Sequence, residues 1–311
     1  MPYDLVPAVV RGWVDDALGS PVVSWADQQG GMSPGCVTRL VGADGRRGFV
    51  KAVGAELNPV TPELFRREIA TLSLIGRDPL WAGLLASYDD GGWVGVLIED
   101  VEGRHPDLAD DAEMATLLAA TDRLDVRLAV VPVPEERART MGDVGPISVR
   151  SAFRKWAESL EHAAEIPVGL VPAWLADAAP PWREVLLDLA AGGDDQLVHW
   201  DIRNDNLLLR PSGELVFVDW GTTAVGPAWV DPLLARLERV ESAWFDVSIA
   251  DSPALRAAGD NAVTAWLVGF GNHLAWRDLT AEDVGLPAMS AFRRTESGRC
   301  LAGAARRLGL P

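Results

Sequence analysis

The chain has 311 residues, 48% of them hydrophobic and 23% charged, the balance of an ordinary globular protein and not of a disordered or fibrous one. That length fits one large domain or two lobes sharing an interface. A net charge of -17 argues against nucleic acid and anionic lipid as partners, since both select clustered Lys and Arg, and it leaves two readings of the acid surplus: a solvated surface, or a site that favours a cationic ligand.

The N-terminal run MPYDLVPAVV lacks the basic-then-apolar pattern of a secretory leader. No run of 18 or more apolar residues follows, so a cytoplasmic protein with no membrane span is expected. Val22 to Trp25 reads as a strand, followed by the turn-prone stretch Gly30 to Gly35 and a second strand, Val37 to Val41. Asp44-Gly45 signals a hairpin into Gly48 to Val53. Thr61 as cap and Pro62 at the first helical position open a helix. Leu64, Phe65, Ile69, Leu72 and Ile75 continue it at helical spacing, and Gly76 ends it. Leu84 to Tyr88 and Trp93 to Glu99 are two more strands.

The remainder reads mostly as helix, over 112–124, 148–164, 182–191, 232–248, 252–274 and 288–308. One β island interrupts it: Gln196 to Val198, a loop, then a hairpin of Leu207 to Leu209 and Leu215 to Asp219 around a Pro-Ser-Gly turn. The expectation is therefore an α+β chain of two lobes. Residues 1–100 form an antiparallel sheet plus one helix, and 101–311 form a mostly helical lobe with an embedded β-hairpin. Cys36 and Cys300 form neither a disulfide framework nor a zinc cluster.

The chemistry concentrates in His199-Trp200-Asp201-Ile202-Arg203-Asn204-Asp205-Asn206, followed after twelve residues by Asp219-Trp220-Gly221. Asp201 stands on a loop before a strand, where a carboxylate can take the proton of an attacking hydroxyl. Asn206 and Asp219 offer hard oxygen donors suited to Mg2+, and the hairpin brings them to one side. The chain has 26 arginines and only two lysines, Lys51 and Lys155, so a lysine on an apolar strand is a candidate for chemistry that Arg cannot supply.

These residues resemble the protein-kinase-like superfamily and, within it, the aminoglycoside phosphotransferase and choline kinase branch. The resemblance rests on His199, Asp201, Asn206, Asp219 and Gly221 in that order, with Lys51 and Glu68 upstream, and spans about residues 25–235. It implies a bilobal kinase-like fold, with ATP and Mg2+ as cofactors. Lys51 would contact the nucleotide phosphates, with Glu68 (or else Glu63) as its ion-pair partner. Gly31 and Ser33 would lie in the phosphate-covering loop, and the Glu99 carbonyl and Val101 amide would read the adenine. Asp201 would be the catalytic base, Arg203 would stabilise the transferring charge, Asn206 and Asp219 would hold Mg2+, and His199 would brace the loop. Trp200, Asp231, Glu238 and Trp244 are candidates for the acceptor side, the acids reading equally as a solvated helix face.

Departures from the pattern also guide the reading. The loop is not G-x-G-x-x-G and contains Pro34, Trp200 replaces the Arg of protein kinases, and no Ala-Pro-Glu element follows. The implied partner is a small molecule with a hydroxyl acceptor, first an aminoglycoside-like or other cationic antibiotic. A sugar, amino sugar or amino alcohol in a metabolic kinase is the alternative, and a catalytically silent nucleotide-binding regulator is a third reading from a different class.

Overall fold

Alternating burial builds the first sheet. In β2 (Cys36–Gly42), side chains at every second position are buried, the period of a strand with one face against a core. With β1 (Val22–Asp27), β3 (Arg47–Gly54), β4 (Leu84–Asp89) and β5 (Trp93–Ile98), it forms an antiparallel five-stranded sheet in the order β1-β2-β3-β5-β4. Lys51 lies in the middle strand, opposite Val37 on one side and Val96 on the other. This computed structural model describes residues 1–28, 34–132, 147–193, 195–282, 286 and 288–310.

Two helices accompany the sheet where the sequence pointed to one. The additional helix, α1 (Ala8–Leu18), buries Val10, Val14 and Leu18 at four-residue spacing. Val10 and Val14 join Tyr3, Val6, Cys36, Leu40, Val50 and Leu97 in one core. Flanking prolines and β-branched residues hide this short helix from a propensity reading. The expected helix is α2 (Thr61–Ile75), with Pro62 in its first turn. Thr61 does not cap it. The Asn58 side-chain oxygen accepts from the Val60 and Thr61 amides, at 2.9 Å each. α3 (Asp111–Ala129) starts at Asp110, whose carboxylate accepts from the Ala112 and Glu113 amides.

The chain divides into two compact units, and not at residue 100. One comprises 1–146, 201–223 and 284–286; the other comprises 147–200, 224–283 and 287–311. The hairpin Leu207–Leu209 with Leu215–Phe217 belongs to the first unit. There Arg104 and Leu209 exchange backbone hydrogen bonds at 3.1 and 2.7 Å, and the Phe217 amide donates to Leu80 O.

The second unit holds a three-stranded sheet in which Ala224–Pro227 is central, beside Ile147–Ser148 and Asp195–Val198. Its helices are α4 (Val149–Leu160), α5 (Leu175–Ala191), α6 (Val230–Leu234), α7 (Ala243–Asp251), α8 (Pro253–Ala258), α9 (Asp260–Thr280) and α10 (Met289–Leu308). α9 is buried along most of its length and packs on α4, α5 and α10.

The helix boundaries differ from the sequence reading: 112–124 extends to Asp111–Ala129, 148–164 shortens to Val149–Leu160, and three others change more deeply. α5 begins seven residues before Trp182, running through Pro180 and Pro181, because its buried Leu175, Ala179, Leu186 and Ala190 outweigh the missing amides. The expected 232–248 helix is broken into α6, a 3₁₀ turn at Leu237–Arg239, and α7. Buried Arg236 bridges the break, donating to Pro232 O at 2.7 Å and Ser248 O at 3.2 Å. The expected 252–274 helix divides at Gly259, whose φ of 83° is left-handed. Among the described residues no helix is long and apolar enough to cross a membrane.

Candidate active site

The first unit brings together the strand lysine, the helix glutamate and the aspartate of the D-x-G turn. Lys51 Nζ lies 2.9 Å from Glu68 Oε1, 3.0 Å from Glu68 Oε2 and 3.1 Å from Asp219 Oδ1. Lys51 and Glu68 are both buried, whereas about half of the Asp219 side chain, 51%, is open. Burial pulls the Lys51 ammonium toward neutrality, but Asp219 and Glu68 reverse this and hold it above its ordinary pKa. Burial pushes the Glu68 carboxyl up against the attraction of Lys51. Glu63, the other candidate partner, is exposed in the first turn of α2.

The loop after His199 gathers the remaining polar groups. Asn206, buried in a 3₁₀ turn, donates from Nδ2 to both the backbone oxygen and Oδ2 of Asp201, at 2.9 Å each. Its side-chain oxygen is thereby turned away as an acceptor. Arg203 Nε lies 3.2 Å from Asp201 Oδ1, and its Nη2 donates to Asp205 at 2.8 Å. Burial pushes the Asp201 carboxyl up to about 6, with Asp219 and Asp205 adding to the shift and Arg203 and Asn206 opposing it. A carboxylate with that pKa remains ionised at neutral pH and is a stronger proton acceptor than an ordinary aspartate.

Asn206 and Asp219 together offer one amide oxygen and one carboxylate. That donor set fits a hard divalent cation completed by phosphate oxygens and water. Among the described residues no group of three or more His, Cys, Asp or Glu is arranged to hold a metal by itself.

The hinge candidates have defined surroundings. The Glu99 amide donates to Gly83 O at 2.9 Å, and its carboxylate accepts from the Gly83 amide at 3.1 Å. Val101 is buried, and its carbonyl accepts from Arg39. Among the described residues, the Glu99 carbonyl and Val101 amide take no part in these bonds. Gly31 and Ser33 lie outside the described residues.

In the second unit Asp231 has a task other than the acceptor side. It is 2% exposed, and its two carboxylate oxygens accept from the His199 amide at 2.7 Å and the Trp200 amide at 3.0 Å. Trp200 has a left-handed φ of 67°, which these bonds hold. Its indole stacks on Trp156 at 5.9 Å, and Trp156 also meets Trp266, Phe270 and His273. His199 is fully buried. Arg299 lies 3.5 Å from Glu238, and Arg239 covers the Trp244 ring at 4.9 Å.

Two long-range contacts escape a sequence reading. His105 Nδ1 lies 3.1 Å from Asn204 O and 2.9 Å from Leu207 O. Carbonyls only accept, so this nitrogen carries the proton and ties both ends of the 3₁₀ turn. Arg67, on α2, donates to Gly221 O at 3.0 Å. Neither contact has a local signal, since the partners stand about a hundred residues or more apart.

A family model described as a phosphotransferase enzyme family matches residues 39–269, well over half of the chain. The chain belongs to this family. Solved structures share its fold throughout. A thermostable mutant of an aminoglycoside phosphotransferase, in ternary complex with ADP and hygromycin B, is 13% identical with a TM-score of 0.63, covering 96% of this chain and 99% of that one. Choline kinase LicA from Streptococcus pneumoniae is 16% identical with a TM-score of 0.62, over 96% and 98% of the two chains. A macrolide 2′-phosphotransferase from Brachybacterium faecium is 16% identical with a TM-score of 0.58, over 94% and 96%. Among curated proteins no sequence relative matches. The phosphotransferase has the kinase-like fold of these enzymes.

Proposed function

We propose that this phosphotransferase moves the γ-phosphoryl of ATP to a hydroxyl of a small molecule with Mg2+ as cofactor. The observation that carries the reading is the pairing of Lys51 with Glu68 and Asp219 in the same unit as the Asp201–Asn206 hydrogen bond. Bound ATP and Mg2+ would supply the phosphoryl donor and neutralise its developing charge. Lys51, kept charged by Glu68, would hold the phosphates, and Asn206 and Asp219 would hold the cation. The Glu99 carbonyl and Val101 amide are offered as the adenine contacts. Asp201 would accept the acceptor's proton as its oxygen bonds to the γ-phosphorus and the bond to ADP breaks. Arg203, on the other face of Asp201, would stabilise the transferring charge.

An aminoglycoside-like or other cationic antibiotic is the first acceptor class, supported by the net charge of -17. A ring-bearing alcohol such as a sugar is the second reading, and one observation favours it. Trp200, stacked on buried Trp156 and itself partly exposed, is an aromatic next to Asp201 in sequence that could meet a sugar ring, while the charges of Arg277, Lys155 and Arg293 act on the neighbouring His273. Mg2+-dependent ATP consumption over a panel of aminoglycosides, macrolides, amino sugars, sugars and amino alcohols, with Asp201→Ala as the blank, tests the proposal. Turnover with one class assigns the acceptor. Silence across the panel with ATP still bound would favour the regulator.

A further inference from the structure

Asp219 occupies a left-handed backbone conformation, φ 66° and ψ 74°, in which a non-glycine residue is strained unless its surroundings hold it. Two consecutive residues of α2 supply that hold. The Glu68 carboxylate accepts from the Trp220 amide, and Arg67 Nη1 donates to the Gly221 carbonyl at 3.0 Å. The turn lies directly against the helix, since a Cβ on Gly221 would stand 3.1 Å from the Leu64 carbonyl. Trp220, between them, is buried and meets Trp81 edge-on at 5.5 Å.

Arg67 is an unusual choice for this position. Its guanidinium is partly buried, and its Nε is sealed from solvent without a hydrogen-bond partner among the described residues. Among those residues it makes no carboxylate ion pair, Glu63 acting on it only through its charge. A desolvated donor is costly, and its one hydrogen bond goes to the carbonyl two residues after Asp219.

We infer that Arg67 is a positioning residue. Through the Gly221 carbonyl it fixes the turn that presents the Asp219 carboxylate, so that one helix sets both the partner of Lys51 and the metal-facing aspartate. The inference rests on the proposed role of Asp219 toward a divalent cation.

The test is Mn2+ binding to protein saturated with ADP, read by the loss of the free Mn2+ resonance and compared with ADP alone. Metal-free ADP binding and the Mg2+ dependence of turnover are measured alongside. For Arg67→Met, Mn2+ affinity should fall by about three- to tenfold, within the range that one hydrogen bond spans. Metal-free ADP affinity should stay within about twofold. Arg67→Lys, which keeps a donor, should recover part of the loss and serves as the variant if Arg67→Met fails to fold. Unchanged Mn2+ affinity in a folded Arg67→Met overturns the inference. An equal loss of metal-free ADP binding also overturns it, by making the residue merely structural. Wild-type protein that binds no Mn2+ beyond its ADP overturns the cation-holding role proposed for Asn206 and Asp219, and the inference with it.

Discussion

Lys51 is held between two carboxylates, and the asymmetry of their burial decides what its loss does. Glu68 is 1% exposed, whereas Asp219 is half open. Replacing Lys51 with Met leaves Glu68 buried without its counter-charge, which costs about 3–5 kcal/mol. Urea unfolding should show that loss. Adding Glu68→Leu should restore much of the stability and none of the transfer, separating the two tasks of the pair. Asp201 makes the opposite case. Its side chain is about one quarter exposed, 25%, and its partners are Asn206 and Arg203 at the loop itself. Asp201→Ala should reduce kcat by about 10²- to 10⁴-fold, the usual contribution of a positioned general base, with nucleotide affinity little changed. Full activity in that variant would remove Asp201 from the mechanism.

Elements, rather than single residues, hold the backbone at His199 and Trp200. α6 contributes Asp231, whose two oxygens receive the amides of His199 and Trp200. Asp231→Ala strands both donors in a buried place and should cost about 2–4 kcal/mol, counting about 1–3 for each amide and some relaxation. Thermal denaturation measures the loss, and kcat should fall with it while Asp231→Asn, which keeps one acceptor, gives an intermediate value. The contacts among Asp201, Arg203, Asp205 and Asn206 could be foreseen because their spacing is local, but the bonds of Asp231 could not, since its partners lie 31 and 32 residues away. The five strands of the first sheet were read nearly to their ends, because a half-buried strand repeats every second residue, whereas Ile147–Ser148 and Ala224–Pro227, too short to show that period, were not read as strands. The helices of the second unit were read as present but misjudged at Pro180, Arg236 and Gly259. At those points a buried packing face, a side-chain bridge and a single left-handed glycine decide the boundary. α1 was missed because a three-residue apolar stripe becomes distinctive only once the sheet beneath it exists.

Across the whole molecule the charge is strongly negative, yet three cations act on one half-buried histidine, and the stability of the fold should record it. His273, on α9, is packed beside Trp156, and its Nδ1 is sealed from solvent without a partner among the described residues. Burial lowers its pKa first, and Arg277, Lys155 and Arg293 lower it further, to about 4. An unfolded histidine titrates near 6.5. Above that pH the ring is neutral in both states and contributes no pH dependence. As the pH falls from about 6.5 to about 4, the unfolded chain gains a proton that the folded chain refuses, so folding loses stability. The loss approaches about 2–3 kcal/mol near pH 4, at 1.36 kcal/mol for each unit of difference. Carboxylates titrate over part of the same range, so the comparison is between wild type and His273→Gln, in which they are common. Urea unfolding at pH 7 and pH 4.5 should show the smaller drop in the variant. Equal drops would mean that His273 takes up its proton in the folded state, and that the three cations around it are screened by solvent rather than acting on the ring.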